Sequence, residues 1–235
     1  MDSFPGWIVF VSFTFSVFSG CSNLLLPFEI SLNPNEVKFY IRNSQSGLEE
    51  IRYMDSNSLN SSPYRRGELT VFLIHGFLTR VNITGNSGSF IKNKMSSMNP
   101  NIIFVDWSAL SGRVISPLDL PLLYVIAKNN IETAAKRAVN FIQWLNYEGV
   151  IDLDRIHVIG VSLGAQFAGR IGSDFQLGMG GRKLPRITGL DPAGPLFYPS
   201  PKSGSLTKAT PTLSTFITRM LVCSGQTGWM DMWIF

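Results

Sequence analysis

Histidine is almost missing from this chain. Its 235 residues hold two, His75 and His157, and neither lies downstream of the serine in Gly160-Val161-Ser162-Leu163-Gly164. Cysteine is equally scarce, with Cys21 and Cys223 as the whole supply. Cys21 ends an apolar leader and Cys223 lies in an atypical tail, so the expected domain has no internal disulfide, which is unusual for a secreted domain. No Cys and His cluster has metal-ligand spacing, so no metal site is expected, and no cofactor either. Charged residues are only 15% of the chain and net +4. Lys and Arg are scattered rather than blocked, which argues against a nucleic-acid partner. The other reading of that charge is a slight preference for anionic lipid surfaces.

What is present is apolar. The hydrophobic share is 45%, and the length suits one large α/β domain with its own core. Trp7 to Phe18 (WIVFVSFTFSVF) is an uncharged apolar run of signal-peptide length, too short for an ordinary membrane span. Ser19, Gly20 and Ser22 offer small residues for cleavage, so residues 1–22 read as a signal peptide. The segment before the run has Asp2 and no Lys or Arg, which leaves an uncleaved anchor as the alternative. No transmembrane segment is expected beyond this leader. Two sequons, Asn60-Ser61-Ser62 and Asn82-Ile83-Thr84, agree with a secreted, extracellular glycoprotein modified at Asn60 and Asn82.

Strand and helix patterns alternate after the leader. Glu36 to Ile41 and Glu50 to Met54 read as strands, with Asn- and Ser-rich loops between and after them, including Asp55 to Pro63. Thr70 to Ile74 and Asn101 to Val105 are near-continuous β-branched runs, which suit a parallel sheet covered on both faces. Gly88 to Met98 is a short amphipathic helix candidate. Leu122 to Tyr147 is the longest helix, with Ile126, Ile131, Ala134, Ala135, Ala138, Phe141, Ile142 and Leu145 at mostly three- and four-residue steps. Arg155 to Ile159 is a strand before Ser162, and Arg186 to Leu190 is another, ending at Asp191. Strand, helix, strand, helix is the pattern of a doubly wound α/β fold.

The serine sits where such a fold does chemistry. Strand, sharp turn and small-residue helix start around G-x-S-x-G make a nucleophile elbow, which lifts the hydroxyl above the sheet edge. A carboxylate at the next strand end, Asp191, can orient an imidazole. An oxyanion hole needs backbone N–H groups aimed at the developing negative oxygen. Leu163, after the serine, offers one, and Phe77, after His75-Gly76, offers the other. His157, five residues before Ser162 in mid-strand, reads as a sheet histidine. His75 is nearer the site and is the only alternative base.

These segments together are specific. His75-Gly76-Phe77, Asn101 to Trp107 (NIIFVDW), Ile156 to Ala165 (IHVIGVSLGA) and Ile187 to Phe197 (ITGLDPAGPLF) resemble the pancreatic-lipase family, in particular its insect lipase and phospholipase A1 members. The resemblance runs from about Val37 to Lys208. It implies an α/β-hydrolase fold, a mostly parallel sheet that is incomplete on its C-terminal side, in a domain spanning 23–208. It further implies a carboxylic ester hydrolase of triacylglycerol lipase or phospholipase A1 type, acting on a lipid substrate or at a lipid–water interface. Ser162 matches the family nucleophile, Asp191 the triad acid, and Phe77 and Leu163 the oxyanion donors, while His75 matches a scaffold position at the oxyanion loop. The family commonly has histidines where this chain has Val161 and Gln166; those are not the triad base. The triad histidine itself is absent, so this form is expected to be inactive. The rival reading is a non-catalytic lipid-binding or yolk-type secreted protein on the same fold.

The tail accounts for the missing base. After Lys208 both structural periods fade, where the family continues with a segment like A-D-A-x-F-V-D-V-I-H-T-D-A-G and later G-H-V-D-F. Trp and Met have single codons, so Trp229-Met230-Asp231-Met232-Trp233 constrains its own coding bases. Read two bases over, the run encodes Asp, Gly, His or Tyr, Val, and Asp. Residues 209–235 therefore read as an aberrant, out-of-frame tail. The strand ending at Asp191 is then expected to keep an open edge, prone to association, because the tail has no period for a matching strand. Sequencing the transcript across the codons for Lys208 to Phe235 should give, in the second frame, a lipase-like stretch with a histidine well beyond Asp191. A stop codon soon after the shift would refute this.

Overall fold

The computed structural model describes residues 28–43, 47–81, 100–114, 117–197 and 215–218. The expected signal peptide (1–22), the Gly88–Met98 helix, the Asn82 sequon and the rest of the 209–235 tail lie outside them. The described strands are β1 (Phe28–Glu29), β2 (Lys38–Asn43), β3 (Gly47–Glu50), β4 (Thr70–Ile74), β5 (Asn101–Asp106), β6 (Arg113–Val114), β7 (Ile156–Val161), β8 (Arg186–Leu190) and β9 (Thr215–Thr218). The helices are α1 (Ser56–Ser61), α2 (Ser108–Ser111), α3 (Leu120–Tyr147) and α4 (Leu163–Gly178).

Seven strands form one sheet in the order β3-β2-β5-β4-β7-β8-β9, and β1 pairs with β6 in a separate ladder. From β5 to β9 all pairings are parallel, and β2 runs antiparallel to both its neighbours. Every residue of β4 is buried, as its unbroken apolar run predicts. The chain moves one way along the sheet from β4 to β5 and the other way from β7 to β8. The reversal falls between β4 and β7, whose carboxyl ends carry His75-Gly76-Phe77 and Ser162. Ligands bind in such a crevice in open α/β sheets. This is the mixed, mostly parallel sheet of an α/β-hydrolase.

Both long helices pack on one face, as right-handed crossovers in the same direction require. The core lies between them and the sheet. Phe39 of β2 stacks on Phe141 of α3 with ring centroids 3.8 Å apart, and both rings are fully buried. Ala134, Ala135 and Ala138 let α3 approach closely. Near its start the core-facing residues are Leu123 and Ala127, and the expected Ile126 is only half-buried.

Four expectations change. Pro34–Glu36 is a 3-10 turn, so β2 starts at Lys38. The expected Glu50–Met54 strand is instead the end of β3 and a turn, and the expected Asp55–Pro63 loop contains α1. The Asp55 carboxylate accepts from Ser58 N at 3.0 Å, capping the helix, and Leu59 anchors it in the core. Fourth, the edge of β8 is not open: the backbone of Thr215–Thr218 pairs with it in parallel, Leu190 opposite Thr218. Edge N–H and C=O groups accept any extended segment rich in β-branched residues, whatever its side-chain period.

His157 is the second residue of β7 and buried, with Nε2 2.8 Å from the Thr188 hydroxyl on β8. Burial, with Arg186 adding to it, pushes its pKa from 6.5 to about 4. The unfolded chain takes up a proton below pH 6.5 where the folded chain does not. Stability therefore falls on acidification from about pH 6.5 to 4 and levels off below, a loss on the order of 3 kcal/mol. Urea unfolding across that window should show a shallower pH slope for His157→Gln than for the parent chain, and parallel slopes would contradict the assignment.

Candidate active site

The elbow is built from missing side chains. Ser162 has φ 53° and ψ −119°, a conformation non-glycine residues rarely hold. Three close backbone approaches impose it. A Cβ at Gly160 would overlap the Gly164 carbonyl, and one at Gly164 would overlap the carbonyls of Ile74 and His75. A Cβ at Gly76 would stand 3.2 Å from Ser162 Cβ. The strained turn is then tied down. Ser162 N donates to Leu190 O at 2.9 Å, and Ser162 O accepts from Ala193 N at 3.2 Å. The seryl hydroxyl is left at the mouth of the crevice, with no hydrogen-bond partner among the described residues.

Val161 is registered opposite Leu190. The next residues, Ser162 and Asp191, therefore stand side by side just past the strand ends. Asp191 is exposed, holds φ 44°, and its carboxylate has no hydrogen bond or ion pair among the described residues. Gln166, buried in α4, donates to Ala193 O at 2.8 Å and supports the loop that follows the acid.

Leu163 opens α4, so its N–H has no intrahelical acceptor. Phe77 follows Gly76 across the same crevice. Its ring meets Tyr124 of α3 edge-on at 5.3 Å, and Tyr124 Oη donates to Pro195 O at 3.1 Å. One aromatic of α3 thus spans from the loop after β4 to the loop after β8. Neither the Phe77 nor the Leu163 N–H is bonded among the described residues. Leu78, Val161 and Leu196 leave apolar surface on the loops that meet here.

His75 is committed to bracing this loop. Its Nδ1 lies 2.9 Å from Gly76 O, and its Nε2 lies 3.2 Å from both Asp106 Oδ1 and Trp107 N. Trp107 Nε1 donates to His75 O at 2.9 Å, and the two rings stack. Burial pushes the Asp106 carboxyl up, but hydrogen bonds from His75 and Ser108 outweigh it and hold the pKa below the ordinary value. Both ring nitrogens of His75 are thus engaged in bracing the loop. Asp106, Trp107, Tyr124 and Gln166 escape sequence reasoning, although Asp106-Trp107 closing a buried strand marks the place.

Asn60 ends the exposed face of α1. Its Oδ1 accepts from Arg66 at 3.0 Å, which leaves the amide nitrogen free among the described residues. Among the described residues there is no group of His, Cys, Asp and Glu able to hold a metal, and no helix is long and apolar enough to cross a membrane.

The chain is similar to known proteins. A family model described as Lipase matches residues 25–216. The chain is 33% identical to lipase member H of Mus musculus over 69% of its length and 32% of that protein's. It is 32% identical to a phospholipase A1 of Vespa velutina, covering 74% of this chain and 57% of the wasp protein. Against pancreatic lipase-related protein 2 of Homo sapiens it is 30% identical, over 76% of this chain and 35% of the other. The chain thus spans between about a third and somewhat over half of these relatives. Among solved structures, the carboxylesterase EstE1 aligns at 21% identity and TM-score 0.33, over 55% of this chain and 39% of its own. A putative carboxylesterase of Lactobacillus plantarum aligns at 14% and 0.37, over 74% and 66%.

Proposed function

The chain belongs to the lipase family, and on that premise we propose that it carries the nucleophile and acid of a secreted enzyme that hydrolyses carboxylic esters of lipids. The observation that carries this reading is the strained Ser162 at the sheet's reversal point, beside the end of β8 where Asp191 is exposed and has no partner among the described residues. In the proposed reaction Ser162 Oγ attacks the ester carbonyl carbon. Its proton passes to an imidazole, and then to the departing alcohol oxygen. The Phe77 and Leu163 N–H groups receive the negative oxygen of the tetrahedral intermediate. Water then releases the acyl group from Ser162 by the reverse proton path. Asp191 orients the imidazole and balances its charge.

On this reading neither histidine of these 235 residues serves that role; the bonds of His75 to Asp106 and of His157 to Thr188 support it. Without a base the seryl proton stays on and the oxygen is a weak nucleophile. The 235-residue chain is therefore proposed to be inactive, its partner imidazole belonging to the second reading frame of the tail. The same observation is what favours the second reading, a non-catalytic lipid-binding or yolk-type protein.

Purified chain should hydrolyse a short-chain p-nitrophenyl ester no faster than its Ser162→Ala variant. Triad loss leaves only the roughly 10³ to 10⁴ over water that binding and oxyanion donors provide. A version with the tail in the other frame should turn over the ester, and Ser162→Ala or Asp191→Ala should lower that rate by several orders of magnitude. A restored version that stays inactive but still binds lipid would favour the binding protein. Secretion is read separately. The chain released by a eukaryotic host should lose mass on peptide-N-glycosidase treatment, and part of that loss should vanish in Asn60→Gln.

A further inference from the structure

Helix α3 starts beside the crevice, where Tyr124 meets Phe77, and ends far from it. At 1.5 Å per residue Trp144 lies about 30 Å further along the helix. There the end of α3, α1 and the turn before α1 line an open groove of about 580 Å³. Asn140, Gln143, Trp144 and Tyr147 follow one another at three- and four-residue steps, so they share one face of α3. Tyr53, Ser56 and Glu148 line the other parts.

The rings and the carboxylate are fixed, and the polar groups have capacity to spare. Arg137 lies 4.1 Å over the Tyr53 ring, and the Trp144 ring crosses Tyr53 at 83° with centroids 5.9 Å apart. Glu148 Oε1 accepts from Trp144 Nε1 at 3.0 Å and from Ser56 Oγ at 2.9 Å. Its Oε2 has no partner among the described residues. Neither do the amides of Asn140 and Gln143 or the phenol of Tyr147, and Tyr147 is 88% exposed. Flat rings beside free amides and one free carboxylate oxygen suit a ligand with apolar ring faces and many hydroxyl and amide groups. That describes a saccharide. Arg137 disfavours a cationic ligand and Glu148 a polyanion, because like charges repel.

The chain itself can supply such a ligand. Asn60, in the Asn60-Ser61-Ser62 sequon, is four residues from Ser56 on α1, so the two share a helix face. Arg66 donates to Asn60 Oδ1 at 3.0 Å, and the next residue, Gly67, donates its N–H to Val150 O at 2.9 Å, two residues past Glu148. Asn60 therefore stands beside the end of α3. A glycan on its Nδ2 has one helical turn, about 5.4 Å, to cross before it meets the groove. The two N-acetylglucosamines that begin an N-glycan span more than that. The same glycan would keep a protein partner off this face.

We infer that the groove between α1 and the end of α3 is a saccharide site, occupied by the first N-acetylglucosamines of the chain's own glycan at Asn60. A sugar ring lies on Tyr147, the Gln143 and Asn140 amides bond its acetamide and hydroxyl groups, and Glu148 Oε2 accepts from a hydroxyl. This inference rests on the secreted-glycoprotein reading and is independent of the reaction at Ser162.

The test uses the full 235-residue chain secreted by a eukaryotic host with Asn82→Gln, so that Asn60 is the one sequon left. Release of the glycan by peptide-N-glycosidase is timed on native and on heat-unfolded chain. Native release is expected to be the slower. Gln143→Ala with Tyr147→Ala should speed native release about tenfold, as loss of a hydrogen bond and a ring contact does, and leave release from the unfolded chain unchanged. Tyr147→Phe keeps the ring and should keep the slow release. Lys136→Ala, an exposed cation on α3, serves as control. Thermal unfolding checks that the variants are folded; Tyr147→Ala alone, at an exposed side chain, carries the test if the double variant is not. Equal native release from the parent and the groove variant overturns the docking. A secreted chain with no glycan at Asn60 overturns it as well, and both results leave the ester-hydrolase reading standing.

Discussion

Three glycines let two strand ends and a helix start occupy almost the same space, and the site depends on that contact. Gly160 and Gly164 bring β7 and α4 against the carbonyls at the end of β4. Gly76 brings the following loop to within van der Waals reach of Ser162. The turn between has room for only one backbone path, which places Ser162 at φ 53°. A strained residue persists only where its surroundings over-determine it. Here the parallel register and the bonds to Leu190 and Ala193 do so.

The two histidines illustrate how position decides chemistry. His157, between strands and desolvated, is held neutral and bonded to Thr188. His75, at a strand end, has both ring nitrogens taken by Gly76, Asp106 and Trp107. Each is hydrogen-bonded where it stands. An α/β-hydrolase triad needs its imidazole from a later loop, facing an acid with spare hydrogen-bond capacity. Asp191, exposed and without a partner among the described residues, has that capacity.

The parts of this protein legible in the sequence are those governed by local rules. Unbroken β-branched runs located β4, β5, β7 and β8, three- and four-residue spacing located α3, and the glycine pattern marked Ser162 and Leu163, because period and turn chemistry act over a few residues. Asp191 and Phe77 could be read as strand-end residues for the same reason. The capping of α1 by Asp55 was hidden inside a polar stretch, and the pairing of Thr215–Thr218 with β8 depends on an edge that exists only once the sheet is assembled. The fate of the histidines and the aromatic span from Phe77 through Tyr124 to Pro195 link residues more than thirty positions apart. Only tertiary structure decided them, since hydrogen-bond satisfaction and charge proximity depend on which strand ends the sheet order brings together.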